Sequence, residues 1–418
     1  MKSILVLLAF LVATVLADKY AMVMGTADGW SNYSITSNPC IPAENIIYMS
    51  YTTDVTDKSN PFPGKIFTDP SEGEGKDYWP QCDGKIDYTG KAINKKVLLA
   101  VLKGDAATVT AETGIENPKV FKTTENDTIF LYFIDHGGDD VVVVGYDFLH
   151  ASELLKTIKY MYDNKMYKEL VFYMEACHSG SMWGGLPDDI NMYVLSSADA
   201  DHDAWMSNCP PEDVVNGKAL NTCLAGLYDN AFMEAIEQSN GGNVTIKEIY
   251  EYTNKVVIEE GSDQNVSEFG AAEQFANYSI NRFVGEKVIS RANGSISPVK
   301  NIVQYSEVPR RIATWKAIRA DKEHLADAMK ELEELAVIEA KREVTIMRLA
   351  RAATQDDVKA DKLRTMKVNS YDRSCAATVI ETLVSNCGFS TPLKVEHMNI
   401  IHNVCAMNID IDFSNVCF

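Results

Sequence analysis

Five short apolar runs, separated by segments with helical spacing, constrain this chain more than any other feature. They are KYAMVMGT (19–26), IIYMSY (46–51), TIFLYFIDHGG (128–138), LVFYMEAC (170–177) and NMYVLSSA (191–198). A strand wetted on one face alternates apolar and polar residues, whereas an uninterrupted apolar strand is covered on both faces. VLLAVLKGDAATV (97–109) reads as helical from its apolar spacing, and SELLKTIKYMYDNKMY (152–167) as an amphipathic helix opened by a Ser cap. The alternation predicts an α/β fold, a mostly parallel sheet sandwiched by helices. In such sheets sites form beyond the carboxyl ends of the strands. His136 and Cys177 each stand just past such an end.

The first residues, MKSILVLLAFLVATVLA, join a lysine to an apolar run that closes on small side chains. The run is too short for a retained span and reads as a signal peptide over 1–17. The expected location is the secretory pathway, either a lysosomal or vacuolar lumen or the exterior. A chain of 418 residues exceeds one ordinary core. Charge divides it: residues 1–310 hold 43 acidic and 24 basic side chains, and residues 311–418 hold 16 and 15. The expected units are a first domain over 18–283, a linker over 284–310 and a second domain over 311–418. The net charge of −20 argues against nucleic acid as a partner, and no later run is long enough for a membrane span.

In the second unit Trp315, Ile318, Leu325, Met329, Leu332, Leu335 and Ile338 recur at helical spacing among charges, which predicts an amphipathic helix pair or a longer bundle segment. Four cysteines close the chain: Cys375, Cys387, Cys405 and Cys417. Nine cysteines suit an oxidising lumen, and an odd number leaves at least one without an intrachain partner. Cys209 and Cys223 flank a turn-rich loop that they could close, and Cys40 and Cys82 could pair. Cys177 is then the expected free thiol. Asn-x-Ser/Thr sequons begin at Asn32, Asn126, Asn243, Asn265, Asn277 and Asn293.

A thiol hydrolase needs a nucleophile, a base that takes and returns its proton, and donors for an oxyanion. FIDHGG offers an imidazole and two glycines at one strand end, and MEACHSGS offers a thiol at another. His178 is a poor base for its neighbour, because consecutive extended residues point to opposite faces. His136, from a different strand, is the better candidate. A lone cysteine at a strand end is as a rule core filling. A metal site is not expected, since His136, Cys177, His178 and His202 are scattered. No cofactor is expected either, and Asp135 reads as a structural acceptor.

FIDHGG and FYMEACHSGSM resemble the histidine and cysteine signatures of the legumain family, asparaginyl endopeptidases related in fold to caspases. The similarity continues through DGWSNY (28–33), IPAENIIYM (41–49), NPFPGKIF (60–67), IDYTGKAIN (86–94) and the four-cysteine end, which is similar to a legumain prodomain. The catalytic subunit of the glycosylphosphatidylinositol transamidase shares the Cys/His pair, but as a rule it carries a membrane anchor and lacks such a prodomain.

The resemblance implies Cys177 as nucleophile, His136 as general base and acid, and Asn32 as the residue that orients the histidine. It puts the oxyanion hole at the amides of Gly137 and Cys177, and makes Asp135 a position that can become a succinimide. A glycan on Asn32 would block the site, so that sequon should be unused. Substrate contacts are implied at Glu175, Ser34, Ser196, Trp205 and Gly226. It also implies the pairs Cys375–Cys405 and Cys387–Cys417, polypeptide substrates, the chain's own prodomain as inhibitor, and cystatin-type inhibitors.

The chain departs from the family's charged pocket. Ser34 stands where an arginine belongs and Gly226 where an aspartate belongs, while Glu175 is kept. His178 replaces the usual glutamate, and HDAW (202–205) replaces a Ser-rich substrate-pairing strand. Loss of two charged pocket members costs on the order of 2–5 kcal/mol of substrate binding. Selectivity for asparagine should therefore be broadened or shifted. Three functions follow: an endopeptidase made as a zymogen and opened by acid, a catalytically weak homologue that binds peptides, and a ligase or transamidase that passes the thioester to an amine.

Overall fold

The computed structural model describes residues 17–27, 41–51, 57–68, 70, 85–238, 243–285, 301–368, 371–388, 394–409 and 411–417. Asn32, Ser34, Cys40 and Cys82 lie outside these residues, as do nearly all of the signal peptide and most of the 284–310 linker.

Six strands form the central sheet, in the spatial order Ser267–Gly270, Met192–Ser196, Glu169–Glu175, Thr128–Ile134, Lys19–Gly25 and Ile46–Ser50. Every neighbouring pair is parallel except the first, where Ser267–Gly270 runs antiparallel on one edge. The three apolar runs at its centre are buried at every position. Their side chains still alternate: Leu131, Phe133, Phe172 and Met174 join one core, and Phe130, Tyr132, Val171 and Tyr173 join the other. Helices Lys95–Leu102 and Ala151–Asp163 supply the first core, and Leu227–Gln238 and Ile246–Glu259 the second. The predicted α/β sandwich is present.

One local expectation differs from the structure. The helix expected over 97–109 is two, Lys95–Leu102 and Ala106–Thr113, because Asp105 caps the second by accepting from the Thr108 amide. The start of Ile246–Glu259 is fixed by a capping box between Thr245 and Glu248.

After Ile134 the histidine run leaves the sheet. Gly137–Gly138, Val141–Val144 and Asp147–His150 make a small antiparallel meander beside it. Four C-terminal helices pack on this meander: Leu325–Thr354, Asp357–Lys362, Arg373–Cys387 and Val395–Ala406, preceded by Val308–Arg319, which packs near Cys177. Ile346, Leu349, Ile380, Leu383, Ile401 and Val404 share one core with Val141, Val143 and Phe148. Disulfides join Cys375 to Cys405 and Cys387 to Cys417, and a third closes Cys209–Cys223.

Around this shared core the helical unit meets the acidic body with charge. Arg373 lies 2.7 Å from Asp140, His402 3.1 Å from Asp139, Lys367 2.6 Å from Asp201 and Lys394 2.9 Å from Glu307. The apolar spacing that predicts these helices does not mark a buried face: Ile318, Leu325, Met329 and Ile338 are exposed. The buried positions of the long helix come later, at Thr345, Ile346, Leu349 and Ala350. No described helix is long and apolar enough to cross a membrane.

Candidate active site

Strand register brings the histidine and cysteine motifs side by side. The strand Thr128–Ile134 pairs in parallel with Glu169–Glu175, Ile134 opposite Glu175, and the Asp135 amide continues the ladder to the Glu175 carbonyl at 3.2 Å. His136 and Cys177 follow at once. Gly137 then passes so close that a Cβ on it would lie 2.2 Å from the Cys177 carbonyl oxygen, so no larger residue fits there. Below them Asp135 accepts from the Thr26 hydroxyl at 2.5 Å and from the His136 amide at 2.6 Å. Burial lifts its pKa to about 8.

Cys177 is the free cysteine among the described residues, and it is 4% exposed. Burial pushes its thiol well up, and the neighbouring Asp203 carboxylate pushes it further. His136 is 6% exposed, and its Nδ1 has no hydrogen-bond partner. Burial holds its pKa down to about 4, helped by the Arg342 guanidinium carried by the long C-terminal helix. Here the site holds a neutral thiol and a neutral imidazole.

The ring of Tyr305 separates them from solvent. It meets the His136 ring edge-on at 4.7 Å between centroids and packs in one cluster with Cys177, Ala204 and Met206. His178 is engaged elsewhere. It sits at φ +53°, with Nδ1 2.8 Å from the Ala200 carbonyl and Nε2 3.4 Å from Asp203. Burial would lower its pKa, but Asp203 and Ala200 outweigh that and raise it. Burial works against Asp203 as well, yet His178, Cys177 and Ser306 hold its carboxyl below the ordinary range.

The Glu175 carboxyl, fully buried, makes no well-formed hydrogen bond. Burial and the Asp229 charge raise its pKa well above normal, against a small opposing pull from the Ser197 hydroxyl. Asp229 is raised to about 7 by burial, although it accepts from the Tyr132 hydroxyl. A Cβ on Gly226 would stand 2.7 Å from both Asp229 Oδ2 and Glu175 Oε1. The space that a side chain at 226 would take is therefore flanked by two carboxyl groups. Asp229, three residues after Gly226, brings a carboxyl group to a position where the sequence reading finds none.

Trp205 and Met206 belong to the strand Trp205–Ser207, which carries Gly226 on one side and Val303–Gln304 on the other. The Trp205 ring nitrogen donates to Asp263 at 2.7 Å. Ser196, another of the expected substrate contacts, is fully buried. Its hydroxyl donates to Ser179 at 2.7 Å inside the sheet, and Ser179 in turn accepts from the Ala198 amide, a layer behind the cysteine loop. Asn32 and Ser34 lie outside the described residues. Sequence reasoning did not single out Asp203, Asp229 or Tyr305. A charged residue in HDAW and a carboxylate one helical turn past Gly226 were visible signals for the first two; Tyr305 had none.

This caspase-like sheet, with a cysteine and a histidine at adjacent strand ends, defines a cysteine-type endopeptidase. The Peptidase C13 family model matches residues 17–286, and the chain belongs to that family. It is 26% identical to legumain of Bos taurus over 94% of this chain and 90% of that protein. It is 31% identical to legumain of Mus musculus over 72% and 68%, and 28% identical to the vacuolar-processing enzyme of Vicia sativa over 94% and 83%.

Proposed function

We propose that this legumain-like endopeptidase cleaves peptide bonds through Cys177 and His136, and that it is made as a zymogen. The register that sets His136 and Gly137 against Cys177 is the observation that carries this reading. The imidazole takes the thiol proton as Sγ attacks the scissile carbonyl, and the amides of Gly137 and Cys177 receive the oxyanion. His136 then gives the proton to the leaving amine, which leaves a thioester for water to cleave. Asn32 orients the imidazole in this scheme.

The closed form is poorly set for that chemistry, which supports latency. Residues 311–418 act as the cap, residues 284–310 contain the processing site, and an acidic lumen is the place of action. Acid opening is supported by two buried imidazoles held near pKa 4. One is His136, beside Arg342, Asp135, Cys177 and Tyr305. The other is His397, which burial, Lys394, Arg342 and Arg364 hold down, with Glu343 3.4 Å away. Both gain protons on opening as pH falls below about 6.5. Catalytic weakness is the second reading, favoured by the Asp203 carboxylate that keeps the thiol protonated.

Full-length protein incubated at pH 4 and labelled with a thiol-reactive peptide probe tests both. Wild type should label and turn over peptide, Cys177→Ala should do neither, and His136→Ala should lose about 10²–10⁴-fold in rate. Turnover that survives in Cys177→Ala sinks the assignment. Labelling without turnover favours the binding protein. Mass spectrometry at pH 4 that finds no cut within 284–310 removes autoprocessing.

A further inference from the structure

Just before the helical cap, the chain crosses the candidate site as an extended peptide. Val303 and Gln304 pair antiparallel with Met206 and Trp205, and the Tyr305 amide donates to the Ala204 carbonyl at 2.9 Å. This is how a bound peptide adds to an exposed strand, with main-chain hydrogen bonds setting register and pockets reading side chains. The side chain that follows this pairing is Tyr305. It is 3% exposed, edge-on to His136 and packed with Cys177. A peptide pairing along this strand in the same register would set its residue at this position against His136 and Cys177.

The end of the pocket is acidic. The Tyr305 hydroxyl is buried without a hydrogen-bond partner, as are both oxygens of Glu175 and Oδ2 of Asp229. Asp135, Cys177, Glu175 and Asp229 all act on the phenol electrostatically. A phenol O–H donates and a carboxyl oxygen, ionised or neutral, can accept, so donor and acceptors match in kind. They do not bond in this structure. Ser306 donates to Asp203 at 3.1 Å, and the helix Val308–Arg319 begins two residues later.

Resting on the protease reading above, we infer that the pocket preceding the scissile bond is built for a tyrosine side chain, and that Tyr305 is the chain's own occupant of it. A phenylalanine brings no donor to Asp229 Oδ2 or the Glu175 oxygens, and buried polar groups left unpaired are what give such pockets selectivity. Held by its tether, Tyr305 plugs the site, while a free peptide can settle deeper.

The test uses the full-length chain. Tyr305→Ala empties the pocket, and iodoacetamide alkylation of Cys177 reads access to the thiol. Blocked tetrapeptides Ile-Val-Gln-X, with X as Tyr, Phe, Asn or Lys, compete for the space. Tyr305→Ala should alkylate about tenfold faster than wild type, and the Tyr peptide should protect at about tenfold lower concentration than the others. If Tyr305→Ala does not fold, acid-opened wild type carries the same peptide comparison. Better protection by the Asn, Phe or Lys peptide, or none by any, overturns the inference. Because alkylation reads occupancy without turnover, a failed protease reading shows separately, as cleavage retained in Cys177→Ala.

Discussion

The catalytic body and the helical cap answer acid in opposite ways. Inside the body three fully buried carboxyls are lifted by burial: Asp135 to about 8, Asp229 to about 7, and Glu175 well above its usual range, while Asp203 is held low. A lifted carboxyl costs stability at neutral pH, where the unfolded chain would ionise it, and the cost fades as pH falls from the folded pKa to the unfolded one. Under and within the cap the perturbed groups are imidazoles held down. Their contribution is full above about 6.5 and is lost as pH falls toward 4. One drop in pH therefore relaxes the body and strains the cap. A shared apolar core need not make two units respond together, because the sign of each buried titration is set locally.

The largest effect expected is on cap release. His136 and His397 each differ by about 2.5 units from an exposed histidine, on the order of 3 kcal/mol apiece at pH 4. Hydrogen exchange in the cap helices, corrected for the intrinsic rate at each pH, should rise steeply between pH 6.5 and 4. His397→Gln, which cannot titrate, should remove roughly half of that slope. A profile unchanged in His397→Gln would move the switch to the carboxylates along the seam, such as Asp140 with Arg373 and Tyr371.

Next comes the covalent staple. Cys375 and Cys405 close a loop of sequence separation 30 wholly inside the cap. Replacing both by Ala should cost the cap about 3 kcal/mol by chain entropy and the body almost nothing. Hydrogen exchange should locate the loss in 373–406 and leave the central strands protected. Equal loss in the strands would mean that body and cap unfold as one.

Asp229→Asn sharpens the other half of the contrast. An amide can still accept from Tyr132 but carries no charge against Glu175, so the body should gain about 1–2 kcal/mol at pH 8. The gain should shrink below about pH 7 and vanish near pH 4, where the unfolded chain's carboxyl is protonated as well. Urea melts at the two pH values check it, and a pH-independent gain would remove the titration.

Much of this body was legible in advance because two-sided burial writes itself as uninterrupted apolar strands. The His136 and Cys177 motifs stood at strand ends, where a parallel sheet gathers its chemistry. What stayed hidden depends on contacts between distant residues. Asp229 reaches Glu175 only because Gly226 leaves room, and a local reading of residue 226 therefore found charge missing. Tyr305 lies more than a hundred residues from Cys177, in a stretch with no periodicity, and its place is fixed by pairing with 205–206. In the cap, spacing revealed helices but not which face they bury, since Leu325 and Met329 obey the period while facing solvent.

The smallest effect expected separates the two kinds of contact that hold the cap. Lys367 and Asp201 lie 2.6 Å apart, but each is more than half exposed, so water and salt screen them. Lys367→Ala should change cap release by less than about 0.5 kcal/mol. Met398, by contrast, is buried and packs its side chain 3.5 Å from where a Cβ on Gly138 would stand. Met398→Ala should cost about 2 kcal/mol or more through lost burial and the cavity left behind. Alkylation rates of Cys177 at pH 6 give both numbers on one scale. If Lys367→Ala released the cap as readily as Met398→Ala, charge rather than the shared apolar core would hold it, and its release would then follow ionic strength as well as pH.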